Sequence, residues 1–472
     1  MTWLTWRNPL KTYTTAEIAS ALGGMLIKGS GIPTVCRVCR DSRDASPDAL
    51  FFAMLGQVHD GHDFIPQAAG NGCRCFVVSR GMEALPGLPE DAEVIRVADT
   101  ADAFVALAVG ALRETGAVIV GITGSVGKTT TKDMVDAVLS MGYRTGKTQG
   151  NLNTAIGIAQ CILEFPEDVQ VAVLEMGTDH PGEIAQVVRV FPPHIAVLTN
   201  IGHSHLEHFG SREGIFRAKM EIAGPMTEGD ALVFLEGPDF LKKENLKVSC
   251  RLVGVGSLSH NDYVVSDMEP SEDGGVCCLL TKKGGGSVAL DLPVPGRHNC
   301  LNAGLAVAVG ELLGIPAEKA ALGLSEFRLT PGRMELIQLP EPRRLTILND
   351  TYNASPDSMK AGLRSLMELT GGRHVAVLGD MLELGPDAPE YHREVGEYAR
   401  EAGVDLVLCT GPLSAALAEG ARERARYFSD RDALIAALPG LLEPGDAVLV
   451  KASRGMGLEH AVQAILEYKE TE

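Results

Sequence analysis

Positive charge is scarce in this chain: 42 lysines and arginines stand against 61 aspartates and glutamates, a formal net charge of −19. So acidic a chain is not built as a general binder of nucleic acid or of anionic membranes, whose attraction comes from clustered cations. Long hydrophobic runs are also missing. The most apolar stretches, Ala117–Thr123 and Ala303–Gly310, fall well short of the ~20 residues of a membrane span. Met1–Tyr13 lacks the basic start, apolar core and small-residue cleavage site of a secretion signal, so a cytoplasmic protein without membrane insertion is expected. The ten cysteines form no framework. Cys36-Arg-Val-Cys39 is a lone C-x-x-C pair, with neither a second such pair nor a histidine pair to complete a zinc site. Buried thiols in a reducing compartment are the expectation.

Glycine, by contrast, is abundant. Fifty-three glycines make up about 11% of the chain, against a usual ~7%, so many turns or close approaches of backbone to ligand are expected. The 45% apolar and 22% charged residues are ordinary for a globular protein and exclude a mostly disordered one. At roughly 150 residues per domain, 472 residues suggest three domains.

The pattern along the chain divides near 100 and 330. Residues 1–100 read as short, mixed α/β, with a helix at Thr15–Leu22, strands at Phe76–Val78 and Val94–Val97, and polar loops Asp41-Ser-Arg-Asp44 and Asp60-Gly-His-Asp63. Residues 101–330 alternate strand and helix: strands at Ala117–Thr123, Val171–Met176 and Ile195–Asn200, and a helix over 129–141. Residues 331–472 repeat the pattern, with strands at Thr346–Leu348, Val375–Leu378, Leu406–Cys409 and Ala447–Val450, and helices near 357–369, 390–402, 413–421 and 458–468. The expected fold class is α/β in three domains: a small mixed α/β N-terminal domain, a central P-loop parallel-sheet ATPase domain, and a C-terminal Rossmann-like doubly wound domain.

Chemistry concentrates after the first buried strand. Gly121-Ile-Thr-Gly-Ser-Val-Gly-Lys-Thr-Thr130 lies between strand and helix, where backbone amides of Gly124, Ser125, Val126 and Gly127 can curl around phosphate oxygens. Lys128 can reach the β- and γ-phosphates, the Thr129 hydroxyl can hold Mg²⁺, and Thr130 follows in the same turn. The strict phosphate-loop motif has a glycine where Ile122 stands, so this is the shorter T-G-x-x-G-K-T form. Glu175, at the carboxyl end of a neighbouring strand, is a candidate metal ligand. His203, His205 and His208 crowd six residues and, with Glu207, loosely match the H-x-H-x-D-H of binuclear zinc hydrolases. That reading is disfavoured because a zinc hydrolase has no phosphate loop upstream. One histidine in a magnesium site is the better account.

Together these motifs resemble the Mur ligases, ATP-dependent amide-forming enzymes of peptidoglycan synthesis. The resemblance spans essentially the whole chain: Thr123–Thr130, Gly150-Asn-Leu-Asn-Thr154, Glu175-Met-Gly177 with Gly182-Glu-Ile184, Asn200-Ile…His205-Leu-Glu, Ala218-Lys-Met-Glu221, Gly296-Arg-His-Asn-Cys-Leu-Asn-Ala303 and Pro331-Gly-Arg333. Asn349–Met359, Leu378–Gly385 and Asp41–Arg43 with Asp60–Phe64 resemble the branch that adds D-alanyl-D-alanine to UDP-N-acetylmuramoyl-tripeptide.

The resemblance implies ATP and Mg²⁺ as cofactors and those two compounds as substrates. It places Lys128 and the loop amides on the ATP phosphates and Thr129, Glu175 and His205 around two magnesium ions. Asn299 and Asn302 would face the adenine, and Asn151 the γ-phosphate. Arg333 and Asp350 would close over phosphates and ribose. Lys219 matches a lysine that is carbamylated in the family and so becomes a metal ligand. Lys128, Glu175, His205, Lys219 and Arg333 would form the catalytic set. Ser42 and Arg43 would bind the uridine diphosphate end, and Asn153 and Thr154 the muramoyl-peptide. A monomer is implied as well. The stretch Asn151-Leu-Asn-Thr-Ala-Ile-Gly157-Ile-Ala159 departs from the family pattern at Ala155 and Ala159, where relatives often have an acidic residue and a proline.

Overall fold

The computed structural model describes residues 12–468 apart from 57, 238 and 272. Residues 1–11, which hold most of the stretch read as lacking a secretion signal, lie outside the described ones. Two compact units result, one of Met1–Ile119, Tyr143–Glu175 and Arg189–Pro192, the other of Val120–Gly142, Met176–Val188 and Pro193–Glu472.

In the first unit, five strands pair in the order Met25–Lys28, Glu93–Arg96, Cys75–Val78, Ala49–Phe52 and Arg37–Cys39, parallel except for the first pair. The helix Thr15–Ala21 starts where expected because Thr14 and Glu17 form a capping box, and it stops before Gly23, whose φ of 60° suits glycine. Strand Val171–Glu175 pairs in parallel with Thr145–Lys147, and helices Thr100–Thr115 and Ala155–Ile162 pack together.

In the second unit, Val120–Thr123 of strand Val118–Thr123, then Ile195–Leu198, Ala231–Leu235, Arg251–Gly256 and Tyr263–Pro270 follow one another in parallel pairs. Here the structure departs from strict strand–helix alternation. Val276–Lys282 and Ser287–Leu292 continue the sheet antiparallel. Their connections, through Gly274 and Gly275 and through Gly284–Gly286, are too short for a crossover helix. Val276–Lys282 also alternates buried and part-exposed residues, the mark of a sheet covered on one face.

Six further strands order as Glu335–Gln338, Thr346–Asp350, Ala447–Lys451, His374–Gly379, Leu406–Thr410 and Ala425–Phe428, all parallel except the first pair. Leu348 and Leu449 face one apolar layer, shared with helices Pro356–Glu368, Ala388–Ala402 and Ser414–Ala421. Ile347, Val448 and Val450 face the opposite layer, with Arg431–Ala437 and Glu459–Glu467. Period-two burial on both faces is what double winding requires. Among the described residues no helix is long and apolar enough to cross a membrane.

Candidate active site

The phosphate loop is held open by residues from the next strand. Val126 donates its amide to Asn200 Oδ1 at 3.0 Å, and the Val126 carbonyl accepts from Asn200 Nδ2 at 2.9 Å and from Thr199 Oγ1 at 2.6 Å. Ser125 Oγ accepts from the Gly202 amide at 2.9 Å. A Cβ on Gly124, where φ is 150°, would stand 1.9 Å from Thr199 Oγ1, so only glycine fits there. Gly127, at φ 82°, leads into helix Lys128–Ser140 and directs its N-terminus at the loop. Lys128 Nζ donates to the Gly124 carbonyl at 2.9 Å, which keeps its charge over the cradle. Thr129 and Thr130 are buried.

Asn299 and Asn302 are buried on helix His298–Leu312, joined by a 3.0 Å bond from Asn302 Nδ2 to Asn299 Oδ1. A Cβ on Gly127 would come within 3.3 Å of Asn302 Oδ1, so this asparagine abuts the loop. Beside them, His298 is pushed down to about 4 by burial, with Arg364 and Lys451 adding to the effect of burial and Asp350 opposing it.

Lys219 is fully buried on helix Arg212–Met220. Desolvation first, and then the nearby Lys128 charge, hold its amine well below the ordinary lysine range. His205 is at φ 58°, and its Nδ1 meets a Glu383 carboxylate oxygen. Burial lowers the His205 imidazole, as do Lys128 and Lys219, against the opposing pull of Glu383. The crowded histidines take separate partners. His203 Nδ1 lies 3.0 Å from Asp357, and the His208 ring stacks on His180 at 4.1 Å. They do not converge on one point as a binuclear zinc centre would demand.

Arg333 lies with its guanidinium 3.7 Å above the Tyr352 ring, and its buried Nε has no hydrogen-bond partner among the described residues. Asp350 accepts from the Met334 amide at 3.2 Å and from the buried Lys451 ammonium. The segment before Arg333 is tied to the phosphate helix: Thr330 donates its amide and hydroxyl to Asp133 Oδ2 at 3.1 and 2.8 Å. The sequence motifs assigned no role to Asp133, Asn200, Tyr352, Glu383 or Lys451. The signal for one of them was available, since a Lys ending a buried strand is costly without a partner.

The other expected residues belong to the first unit. Glu175 is buried at the end of its strand and donates its amide to Thr148 Oγ1 at 2.9 Å. Ser42 and Arg43 line a cavity of about 650 Å³ together with Arg40, His59, Gln160 and Glu164. Ser42 Oγ donates to Gln67 Oε1 at 2.7 Å, Arg43 forks onto Asp41, and Arg40 Nε donates to Gln160 Oε1 at 2.8 Å. Asn151, Asn153 and Thr154 are not in that lining. Thr154 caps helix Ala155–Ile162, accepting from the Gly157 amide at 3.3 Å, and the Asn153 amide donates to the Asn151 carbonyl at 2.9 Å.

Three family descriptions match the chain: "Mur ligase family, catalytic domain" over residues 35–110, "Mur ligase middle domain" over 122–310, and "Mur ligase, glutamate ligase domain" over 332–454. The UDP-N-acetylmuramoyl-tripeptide–D-alanyl-D-alanine ligase of Bacillus subtilis (strain 168) is 40% identical over 461 residues, covering 96% of this chain and 98% of that protein. A crystal structure of MurF from Acinetobacter baumannii superposes with a TM-score of 0.88 at 31% identity, covering 98% of this chain and 100% of that one. MurF ligase from Thermotoga maritima in complex with ADP gives a TM-score of 0.80 at 29% identity, covering 91% and 96%.

Proposed function

The chain belongs to the Mur ligase family, and from that premise we propose that it joins D-alanyl-D-alanine to UDP-N-acetylmuramoyl-tripeptide in peptidoglycan synthesis. ATP is consumed, and UDP-N-acetylmuramoyl-pentapeptide, ADP and phosphate are formed. What carries the ATP half of this reading is the phosphate cradle, where Gly124 leaves no room for a side chain and Lys128 stands over the loop carbonyls. The choice of acceptor rests on the end-to-end likeness to the Bacillus subtilis ligase.

A carboxylate is a poor electrophile, because oxide is not a leaving group. In this mechanism the tripeptide's terminal carboxylate takes the γ-phosphoryl group of ATP and becomes an acyl phosphate. The amine of D-alanyl-D-alanine attacks that carbonyl, and phosphate departs. Both steps depend on positioning and charge neutralisation, and neither needs a protein nucleophile. Lys128 and the loop amides hold the phosphates. Arg333, whose buried Nε has no hydrogen-bond partner among the described residues, supplies a second cation.

Thr129, Glu175, His205 and Lys219 would hold magnesium, which when bound neutralises charge on the transferring group. The donor set suits it. Thr129 is a buried hydroxyl, and Glu383 at His205 Nδ1 orients that ring as ligand-supporting carboxylates do. Lys219 is held toward the neutral amine that a carbamate requires. Segments 1–100, 101–330 and 331–472 are read as the domains for the UDP-substrate, for ATP and for ligation. Ser42 and Arg43 sit in the cavity assigned to the uridine diphosphate end. We read the enzyme as a cytoplasmic monomer.

ADP release measured with UDP-N-acetylmuramoyl-tripeptide, with and without D-alanyl-D-alanine, tests this. Release is expected only with the dipeptide, and dipeptide-independent turnover would refute the assignment.

A further inference from the structure

We propose that Arg454 binds the terminal carboxylate of the incoming dipeptide, an inference that rests on the ligase reading above. A small zwitterionic substrate presents two handles. Its amine must reach the acyl phosphate, so its carboxylate is the end left for the protein to grip. The protein is strongly acidic, and a carboxylate needs a cation that is not already committed.

The C-terminal sheet supplies one at the position where ligands bind in doubly wound folds. Strand Ala447–Lys451 lies between Thr346–Asp350 and His374–Gly379, although it is last of the three in sequence, so the order of winding reverses around its carboxyl end. The residues beyond that end are Ala452, Ser453 and Arg454. Ser453 fixes the place. Its amide donates to the Asp380 carbonyl at 3.0 Å, and its Oγ accepts from the Leu382 amide at 2.9 Å and lies 3.5 Å from the Ala354 carbonyl. The loops following all three strands are thereby gathered at one point.

Arg454 projects from this junction and is exposed. Among the described residues its side chain meets Tyr352, with Nη1 3.4 Å from the phenol oxygen and the guanidinium 5.2 Å from the ring centroid. Among the described residues no carboxylate pairs with it. Other arginines of this sheet's surroundings are engaged: Arg373 with Asp446 and Glu443, Arg393 with Glu390 and Glu419, Arg431 with Asp432. Tyr352 also carries Arg333 at 3.7 Å. One aromatic ring therefore sets the proposed phosphate cation and the proposed carboxylate cation side by side, as a dipeptide attacking an acyl phosphate requires.

The test compares D-alanyl-D-alanine with its C-terminal amide, in steady-state assays of the wild type, Arg454→Ala and Arg454→Lys. The wild type should prefer the free carboxylate by about 10- to 100-fold in kcat/KM, the range for one charge-assisted hydrogen-bonded contact. Arg454→Ala should lose that preference through a higher KM for the dipeptide, with unchanged use of the amide and unchanged KM for ATP and for UDP-N-acetylmuramoyl-tripeptide. Arg454→Lys should recover part of it. An equal loss for dipeptide and amide, or a raised KM for ATP, would overturn the assignment. Failure of the wild type to ligate the dipeptide at all would overturn the functional reading and this one with it.

Discussion

Asp357 holds His203 by two bonds, 2.8 Å from the main-chain amide and 3.0 Å from ring Nδ1. The two residues lie 154 positions apart, one at the start of helix Pro356–Glu368 and the other in the loop that supports the phosphate cradle. Burial acts to raise the Asp357 carboxyl, but the His203 bonds and charge outweigh it and hold the group below the usual carboxylate range. Asp357→Ala should free loop 200–205. We expect a several-fold fall in kcat, with faster amide exchange confined to that loop and the end of the helix. Unchanged exchange at positions 200–205 would show that the pair anchors nothing.

The cradle should tolerate no side chain at Gly124. Gly124→Ala sets a methyl group 1.9 Å from Thr199 Oγ1 and must displace either the strand end or the loop. Lys128→Ala removes the ammonium that lies on the Gly124 carbonyl. Each should lower ADP release by at least ~100-fold, on the scale of losing a preorganised charge contact. Full activity in the Lys128 variant would sink the ATP assignment.

Arg333→Ala should retain the fold, since the lost cation–π contact with Tyr352 amounts to about 0.5–2 kcal/mol. Turnover should nevertheless drop. The check is kcat for ADP release beside a thermal melt, and a melt shifted as strongly as the rate would point to a structural role instead.

Lys219 is poised for reaction with carbon dioxide, because burial and Lys128 disfavour its protonated form. Protein exchanged with ¹³C-bicarbonate should show a carbamate carbon resonance that Lys219→Ala lacks, and bicarbonate depletion should slow turnover. An identical spectrum in both proteins would exclude the modification.

Glu164 lines the cavity with Ser42 and Arg43, and burial pushes its carboxyl up to about 8 against a smaller opposing bond from Gln160. Unfolded, the group titrates near the ordinary ~4.3. Between these values the folded chain holds more protons, so this residue's contribution to stability falls as pH rises and the penalty is complete above about pH 8. Glu164→Gln should therefore melt like the wild type near pH 4 and progressively higher above it. A gap that does not change with pH would contradict this.

Much of this protein is legible in one dimension. The phosphate loop could be read because its glycines, lysine and threonine are contiguous, and a strand–loop–helix needs only local backbone geometry. The doubly wound C-terminal strands could be read because residues buried on both faces form continuous apolar runs. The antiparallel strands 276–292 were hidden, since their pairing depends on turn length and on which face the rest of the chain covers. Also hidden were the partners of the site residues. Lys451 finds Asp350 101 positions away, Thr330 finds Asp133 across 197, and Tyr352 receives Arg333 and Arg454 from segments far apart in the chain. Composition and periodicity say which residue types are costly to bury. Which partner relieves that cost is decided only when distant strands come into register.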